Sequence, residues 1–207
     1  MDIARRSFLG LSAGAGLAAL AGANPLGRSL IEIPPARRAA AAPSLRAAIP
    51  PAPSLPADIR RAFLHNLHTG ETLDAVYWEA GKYVPDALAE AMRVMRDWRN
   101  GQEHAMDPRL FDLLHAIQAR LEVNRPFQLI SGYRSPATNA ALHAESGEVA
   151  AHSQHLLGKA SDIRVEGVEL DHLHRAALSL KAGGVGFYPV SNFVHVDVAA
   201  VRQWSGT

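Results

Sequence analysis

The chain contains no cysteine in 207 residues. Disulfide cross-links, thiolate-bound zinc and thiol nucleophiles are thereby excluded, and any metal must be held by nitrogen and oxygen. The same absence rules out a lipid-bearing N-terminal cysteine, although it does not by itself name a compartment. Charge of one sign is also lacking: 21 Lys and Arg against 20 Asp and Glu leave a formal net charge of +1. Nucleic-acid binding would need a strong basic excess or a basic face, so no nucleic-acid partner is expected. No internal repeat is present. The apolar run from Leu11 to Ala23 is too short and too rich in glycine to read as a membrane span.

What is there begins with an address. Arg5-Arg6-Ser7-Phe8-Leu9 precedes that apolar run, and Ala21-Gly22-Ala23 closes it with small residues. A charged region, an apolar region and an A-x-A site in this order predict a signal peptide over residues 1–23. The paired arginines resemble a twin-arginine signal, which is read as an address and is not an anchor. Export to the periplasm or cell envelope is therefore expected, with no stable membrane insertion after processing. Residues 24–59 are dominated by Ala, Pro, Arg and Ser, with Pro34-Pro35 and Pro50-Pro51 among them. That composition buries too little apolar surface to offset ordering and predicts a linker.

A folded domain is expected over residues 60–207. Two stretches around Thr69-Gly70, Phe63–His68 and Thr72–Trp78, predict a hairpin. Pro85-Asp86 opens a helix expected to run through Trp98 and stop at Asn100-Gly101. Asp107-Pro108 caps a second helix, on which Leu110, Leu113, Leu114, Ile117 and Leu121 recur at helical spacing. Strands are predicted at 127–130, 160–165, 184–188 and 193–198, with a helix over 169–181. The fold class that follows is α+β, with helices packed on a small, mostly antiparallel sheet.

Two segments concentrate the chemistry: Ser153-Gln154-His155-Leu156-Leu157-Gly158-Lys159-Ala160-Ser161-Asp162, and Phe193-Val194-His195-Val196-Asp197. Side chains two apart on a strand share a face. His195 and Asp197 therefore lie together, opposite Val194 and Val196, and Asp162 lies opposite Ile163. Polar side chains on such buried-looking strands need partners. A metal is a natural partner for His155, Asp162 and His195, since a hydrolytic zinc site takes three protein ligands of this kind and keeps one position open. The competing expectation is a hydrogen-bonded core histidine beside a solvated aspartate. His152, three residues before His155, is an alternative ligand. The other histidines show no convergent spacing, and His172 and His174 are expected on a solvated helix side.

The pattern Ser-x-His-x-x-Gly-x-Ala-x-Asp, followed by a later strand histidine, resembles the M15 zinc peptidases, the D-alanyl-D-alanine carboxypeptidase and dipeptidase group. The resemblance is closest to the murein endopeptidase K subgroup. It extends through Leu67–Glu71, Tyr77-Trp78, Arg96–Arg99, Ser131–Pro136 and Gly183–Gly186 to Val201–Trp204. It implies an M15/hedgehog-like fold, one zinc ion on His155, Asp162 and His195, and peptidoglycan as the polymer whose amide bonds are cut. It also assigns Arg134 to the family's Tyr-Arg motif, where a fork of donors suits a substrate carboxylate or an oxyanion; a structural salt bridge is the alternative. Ser153 is expected to contact substrate, orient a ligand or cap a loop. Many M15 enzymes carry an acidic general base three positions before the last histidine. Here that position is Asn192, which cannot take a proton. Asp197 is the nearest carboxylate on the ligand face, expected either as the base or as the residue that orients a histidine. The missing acid keeps open a second reading, a non-catalytic zinc- or peptidoglycan-binding module of the same fold.

Overall fold

The structure is a computed structural model that describes residues 58–146 and 149–207. The expected leader, and the linker up to residue 57, lie outside the described residues. Alternation decides the strands. In β1 (Arg60–Asn66) every second residue, Ala62, Leu64 and Asn66, is buried. Asn66 also builds the turn that follows: its amide donates to the Val94 carbonyl at 2.8 Å, and its side-chain oxygen accepts from the N–H groups of His68 and Thr69. Gly70, at φ 72°, then turns the chain into β2 (Thr72–Glu79). A two-residue strand, β3 (Lys82–Tyr83), extends the expected hairpin.

Helix α1 (Pro85–Val94) stops four residues before the expected end at Trp98. The chain is redirected there by bonds outside the helix. The Met95 carbonyl accepts from Tyr133 N–H at 2.7 Å, and the Asp97 carboxylate accepts from the N–H groups of Arg99 and Ser135. Helix α2 (Pro108–Leu121) starts where Asp107 caps the Arg109 N–H. It buries Leu110, Phe111, Leu114, Ile117 and Leu121 along one stripe. Each such apolar side chain contributes about 1.5–3 kcal/mol when fully buried.

Strand β4 (Phe127–Ser131) leads through Ser135, which caps Thr138 N–H, into α3 (Pro136–Glu145). Only Thr138 and Asn139 of α3 are buried, so it lacks the apolar stripe from which a helix is read, and it was not expected. A single 3-10 turn (Gln154–Leu157), β5 (Ala160–Val165), α4 (Leu170–Leu180), β6 (Gly184–Tyr188), β7 (Phe193–Asp197) and an unexpected edge strand β8 (Arg202–Ser205) complete the domain.

The eight strands form one sheet in the order β3-β2-β1-β4-β5-β7-β6-β8. The β1–β4 and β6–β8 contacts are parallel and the rest antiparallel. The architecture is the expected α+β class, with a larger sheet. One apolar cluster joins α1, α2 and α4 to Leu64, Leu129, Ile163, Val185, Val194 and Val196. Because strand side chains alternate, the residues between these point to the other face. That face carries Asp162, His195 and Asp197.

Candidate metal centre

Three elements deliver the polar residues to one point. Ser153 accepts from His155 N–H at 3.3 Å and so caps the 3-10 turn that presents His155. Gly158 ends that turn at φ 64°, where a Cβ would lie 2.2 Å from the Ala105 carbonyl oxygen. No other residue fits both constraints. Asp162 on β5 is the direct cross-strand partner of His195 on β7. His155 Nε2 stands 3.2 Å from Asp162 Oδ1 and 3.2 Å from His195 Nδ1, and His195 Nδ1 stands 2.9 Å from Asp162 Oδ1. The three residues are 2%, 5% and 8% exposed.

Those separations fit a metal. Ligand atoms about 2.0–2.1 Å from a tetrahedral zinc lie roughly 3.3 Å apart. The donor set, two imidazoles and a carboxylate, is also one that zinc accepts. The far side of each imidazole is anchored as well. His155 Nδ1–H donates to the Gly132 carbonyl at 2.6 Å, and His195 Nε2–H donates to Asp197 Oδ2 at 3.0 Å. Each bond fixes the tautomer that leaves a lone pair facing the cluster.

The electrostatics are those of a dense polar centre. Burial lowers the basicity of His155. For His195 burial acts the same way, but hydrogen bonds to Asp162 and Asp197 outweigh it and hold the imidazole above its ordinary value. Burial would raise the Asp162 carboxyl, yet the two imidazoles hold it well below the usual carboxylate range.

Asp197 is fully enclosed. Its oxygens accept from His195, from the Arg202 guanidinium at 3.1 and 2.7 Å, and from the N–H groups of Gly184 and Ala199 at 3.1 and 2.9 Å. These bonds overcome its burial and hold its carboxyl well below the usual range. Arg134 is the reverse case. It is buried, yet its contacts to Ser131, Asn139 and Asp162 are all 3.4 Å and its Nε has no partner.

The three convergent residues open onto a cleft of about 310 Å³. Arg134, Ser153, His152, Tyr188, Arg202 and Trp204 also line it, and Asp162 is the only carboxylate among the lining residues. Asn192 does not line it. It sits at φ 56° in the β6–β7 turn and faces a separate depression with Gln128, Arg164 and Glu166. Of the histidines set aside, His174 is not simply solvated: its ring stacks on Phe187 at 4.7 Å.

A family model described as peptidoglycan L,D-endopeptidase MepK matches residues 54–204. The chain belongs to the M15 peptidase family, in its MepK branch. The peptidoglycan L,D-endopeptidase MepK of Escherichia coli strain K12 is 46% identical over 141 residues, which cover 68% of this chain and 78% of that protein. The same values hold for the Shigella flexneri protein of that name. A probable peptidoglycan L,D-endopeptidase MepK of Haemophilus influenzae is 44% identical over 142 residues, 68% of this chain and 76% of its own. No solved structure matches.

Some parts of this M15 site were not read from the sequence. The Gly132 carbonyl carries no side-chain signal at all. In the sequence Arg202 and Trp204 stand out only through the resemblance, although their spacing of two matches that of Gly184 and Gly186. Two glycines alternating on a strand are the mark of close approach by something else, and that signal was available.

Proposed function

We propose that this M15 chain is an exported, zinc-dependent endopeptidase that hydrolyses L,D amide cross-links between peptidoglycan stem peptides. The observation that carries the reading is the convergence of His155, Asp162 and His195, with ligand atoms within 4.8 Å of one another, at the floor of a cleft. The substrate class and the bond come from the relatives, whose names describe peptidoglycan L,D-endopeptidases. Periplasmic export is supported by Arg5-Arg6 and Ala21-Gly22-Ala23, and among the described residues no helix is long and apolar enough to cross a membrane.

A zinc ion held by the three ligands would polarise the scissile carbonyl and acidify water. The chain's own residues supply the rest. Arg134, buried with under-used donors, binds a substrate carboxylate or the oxyanion that develops at the attacked carbonyl. A cleft with two arginines and no unliganded carboxylate suits an acidic stem peptide. Of the two roles expected for Asp197, the geometry favours orienting His195, because its two oxygens already accept five hydrogen bonds and it does not line the cleft. The proton acceptor is then another cleft residue; apart from the ligands and arginines, His152 and Tyr188 are the titratable side chains lining it.

The test is digestion of purified sacculi and of defined muropeptide dimers, followed by separation of the products. Zinc-loaded protein is expected to split L,D-linked dimers, and chelator is expected to stop it. Splitting of D,D-linked dimers alone would overturn the bond assignment. Binding to sacculi without release of any product would favour the non-catalytic module.

A further inference from the structure

We infer that the terminal strand β8 is a positioning arm for the third ligand, in which Arg202 locks Asp197 and Trp204 backs the His195 ring. The inference rests on the zinc-peptidase reading and concerns residues to which no role has been assigned. Strand β6 lies between β7, which carries His195 and Asp197, and β8. Side chains on strands that are not neighbours stand about 9.5 Å apart across the sheet. Any side chain on the intervening strand would separate them. At two of the three β6 positions on this face there is none, because they are Gly184 and Gly186; the third is Tyr188.

The register makes the arrangement specific. Gly184 is paired with Arg202, and Gly186 is paired with both Trp204 and His195. A Cβ on Gly184 would lie 2.5 Å from both Arg202 Nη1 and Asp197 Oδ2. A Cβ on Gly186 would lie 2.6 Å from the Trp204 ring. Neither glycine has a positive φ, so backbone freedom is not why they are there. They are notches, and Arg202 and Trp204 fill them.

Through the first notch the Arg202 fork donates to both oxygens of Asp197, and Asp197 Oδ2 accepts from His195 Nε2. Through the second, the Trp204 ring reaches 5.2 Å from the His195 ring. Trp204 is itself fixed: its Nε1–H donates to Tyr188 Oη at 2.8 Å, and the Arg202 guanidinium lies 4.9 Å over its ring. The Asp197 side chain is 0% exposed, and Arg202, at 43%, is the permanent cation beside it. Without that fork only Oδ1 stays pinned, by the Gly184 and Ala199 N–H groups, and Oδ2, which holds the imidazole, loses its second donor.

Strand β8 contributes little else, since three of its four residues are exposed. Only the Arg202 end of the pair is half-exposed; the Asp197 end is enclosed, so the arginine compensates a buried charge. Its value is in the aim of His195, and partners of this kind typically change metal affinity by about ten- to a hundredfold.

The experiment measures zinc affinity by chelator competition, and the unfolding midpoint of metal-free protein, in wild type, Arg202→Gln, Arg202→Lys and Gly184→Ala. Cobalt(II) absorption of each variant reports ligand geometry independently. Lysine keeps the charge but not the fork. All three variants are expected to bind zinc roughly ten- to a hundredfold more weakly, with an altered cobalt spectrum, at a temperature where each metal-free protein is fully folded. Gly184→Ala reproduces the effect without removing any polar group, because its methyl falls between the fork and Asp197. Wild-type affinity and spectrum in both Arg202 variants would overturn the inference, as would a lower metal-free midpoint with affinity intact. If wild type itself binds no zinc in the same competition, the zinc-peptidase reading fails, and that result is distinct from a failure of the arm.

Discussion

Two carboxylates at opposite ends of the sheet are held in nearly the same way and do different work. Asp112 on α2 accepts from Arg60 at 2.6 Å, from the Tyr77 hydroxyl at 3.0 Å and from the Tyr83 hydroxyl at 2.7 Å. Its three donors come from β1, β2 and β3, so it ties the helix to the near end of the sheet. Asp197 likewise accepts from an arginine, from a ring and from two backbone N–H groups. The difference is that one of its donors has a second task. His195 turns its other nitrogen to Asp162 and His155, whereas the donors on Asp112 lead on only to packing, such as the Arg60 guanidinium 4.6 Å over the Trp78 ring. A satisfied carboxylate is therefore structural or functional according to what its partners hold on their far side.

The comparison breaks most visibly at the ligands. His155→Ala and His195→Ala should each lose zinc, and hydrolysis should fall about a thousandfold or more, since metal polarisation supplies several kcal/mol of transition-state stabilisation. Metal analysis of folded protein and turnover on an L,D-linked dimer check this together. Next comes Asp112→Asn, expected to cost about 1.5–3 kcal/mol in denaturant unfolding of metal-free protein, the range for hydrogen bonds to a charged group. Its zinc affinity should match wild type.

Asp197→Asn should do the converse, weakening zinc by about ten- to a hundredfold in a chelator competition. If Asp197 is instead a proton acceptor, zinc affinity would be kept while turnover fell by about a hundredfold to ten-thousandfold. Equal effects of the Asp112 and Asp197 variants on zinc would erase the distinction drawn between the two hubs.

The smallest effect is alkaline. Burial, with Asp112 alongside, pushes the Tyr83 hydroxyl up to about 12 and raises Tyr77 as well. An acid whose folded value is raised stabilises the fold below its unfolded value and loses that contribution as pH climbs through the folded one. For Tyr83, stability should thus be level below about pH 10 and decline towards pH 12. Tyr83→Phe should flatten part of that decline, with no change in zinc binding at neutral pH.

How much of this was legible in the sequence depends on locality. His155 and Asp162 stand within one ten-residue motif, and the strand alternation around His195 places it and Asp197 on one face without any tertiary knowledge. The apolar stripe of α2 and its Asp107 cap were equally plain. By contrast α3 buries only Thr138 and Asn139, and β3 and β8 are edge strands too short to show a period. The end of α1 at Val94 is set by Tyr133 and Ser135, far along the chain, through Met95 and Asp97. Asp197 could be seen, but not its isolation from the cleft. That depends on Arg202 reaching across a strand, which only the register of β6 reveals.

The central claim is that His155, Asp162 and His195 form a hydrolytic zinc centre, and stoichiometric reconstitution tests it most directly. Metal-free protein is titrated with zinc while hydrolysis of an L,D-linked muropeptide dimer is followed. The account predicts no hydrolysis without metal, and a linear rise that saturates at one zinc per chain in wild type and is absent in His195→Ala. Full hydrolysis by the metal-free protein, or the same titration curve in His195→Ala, would contradict it.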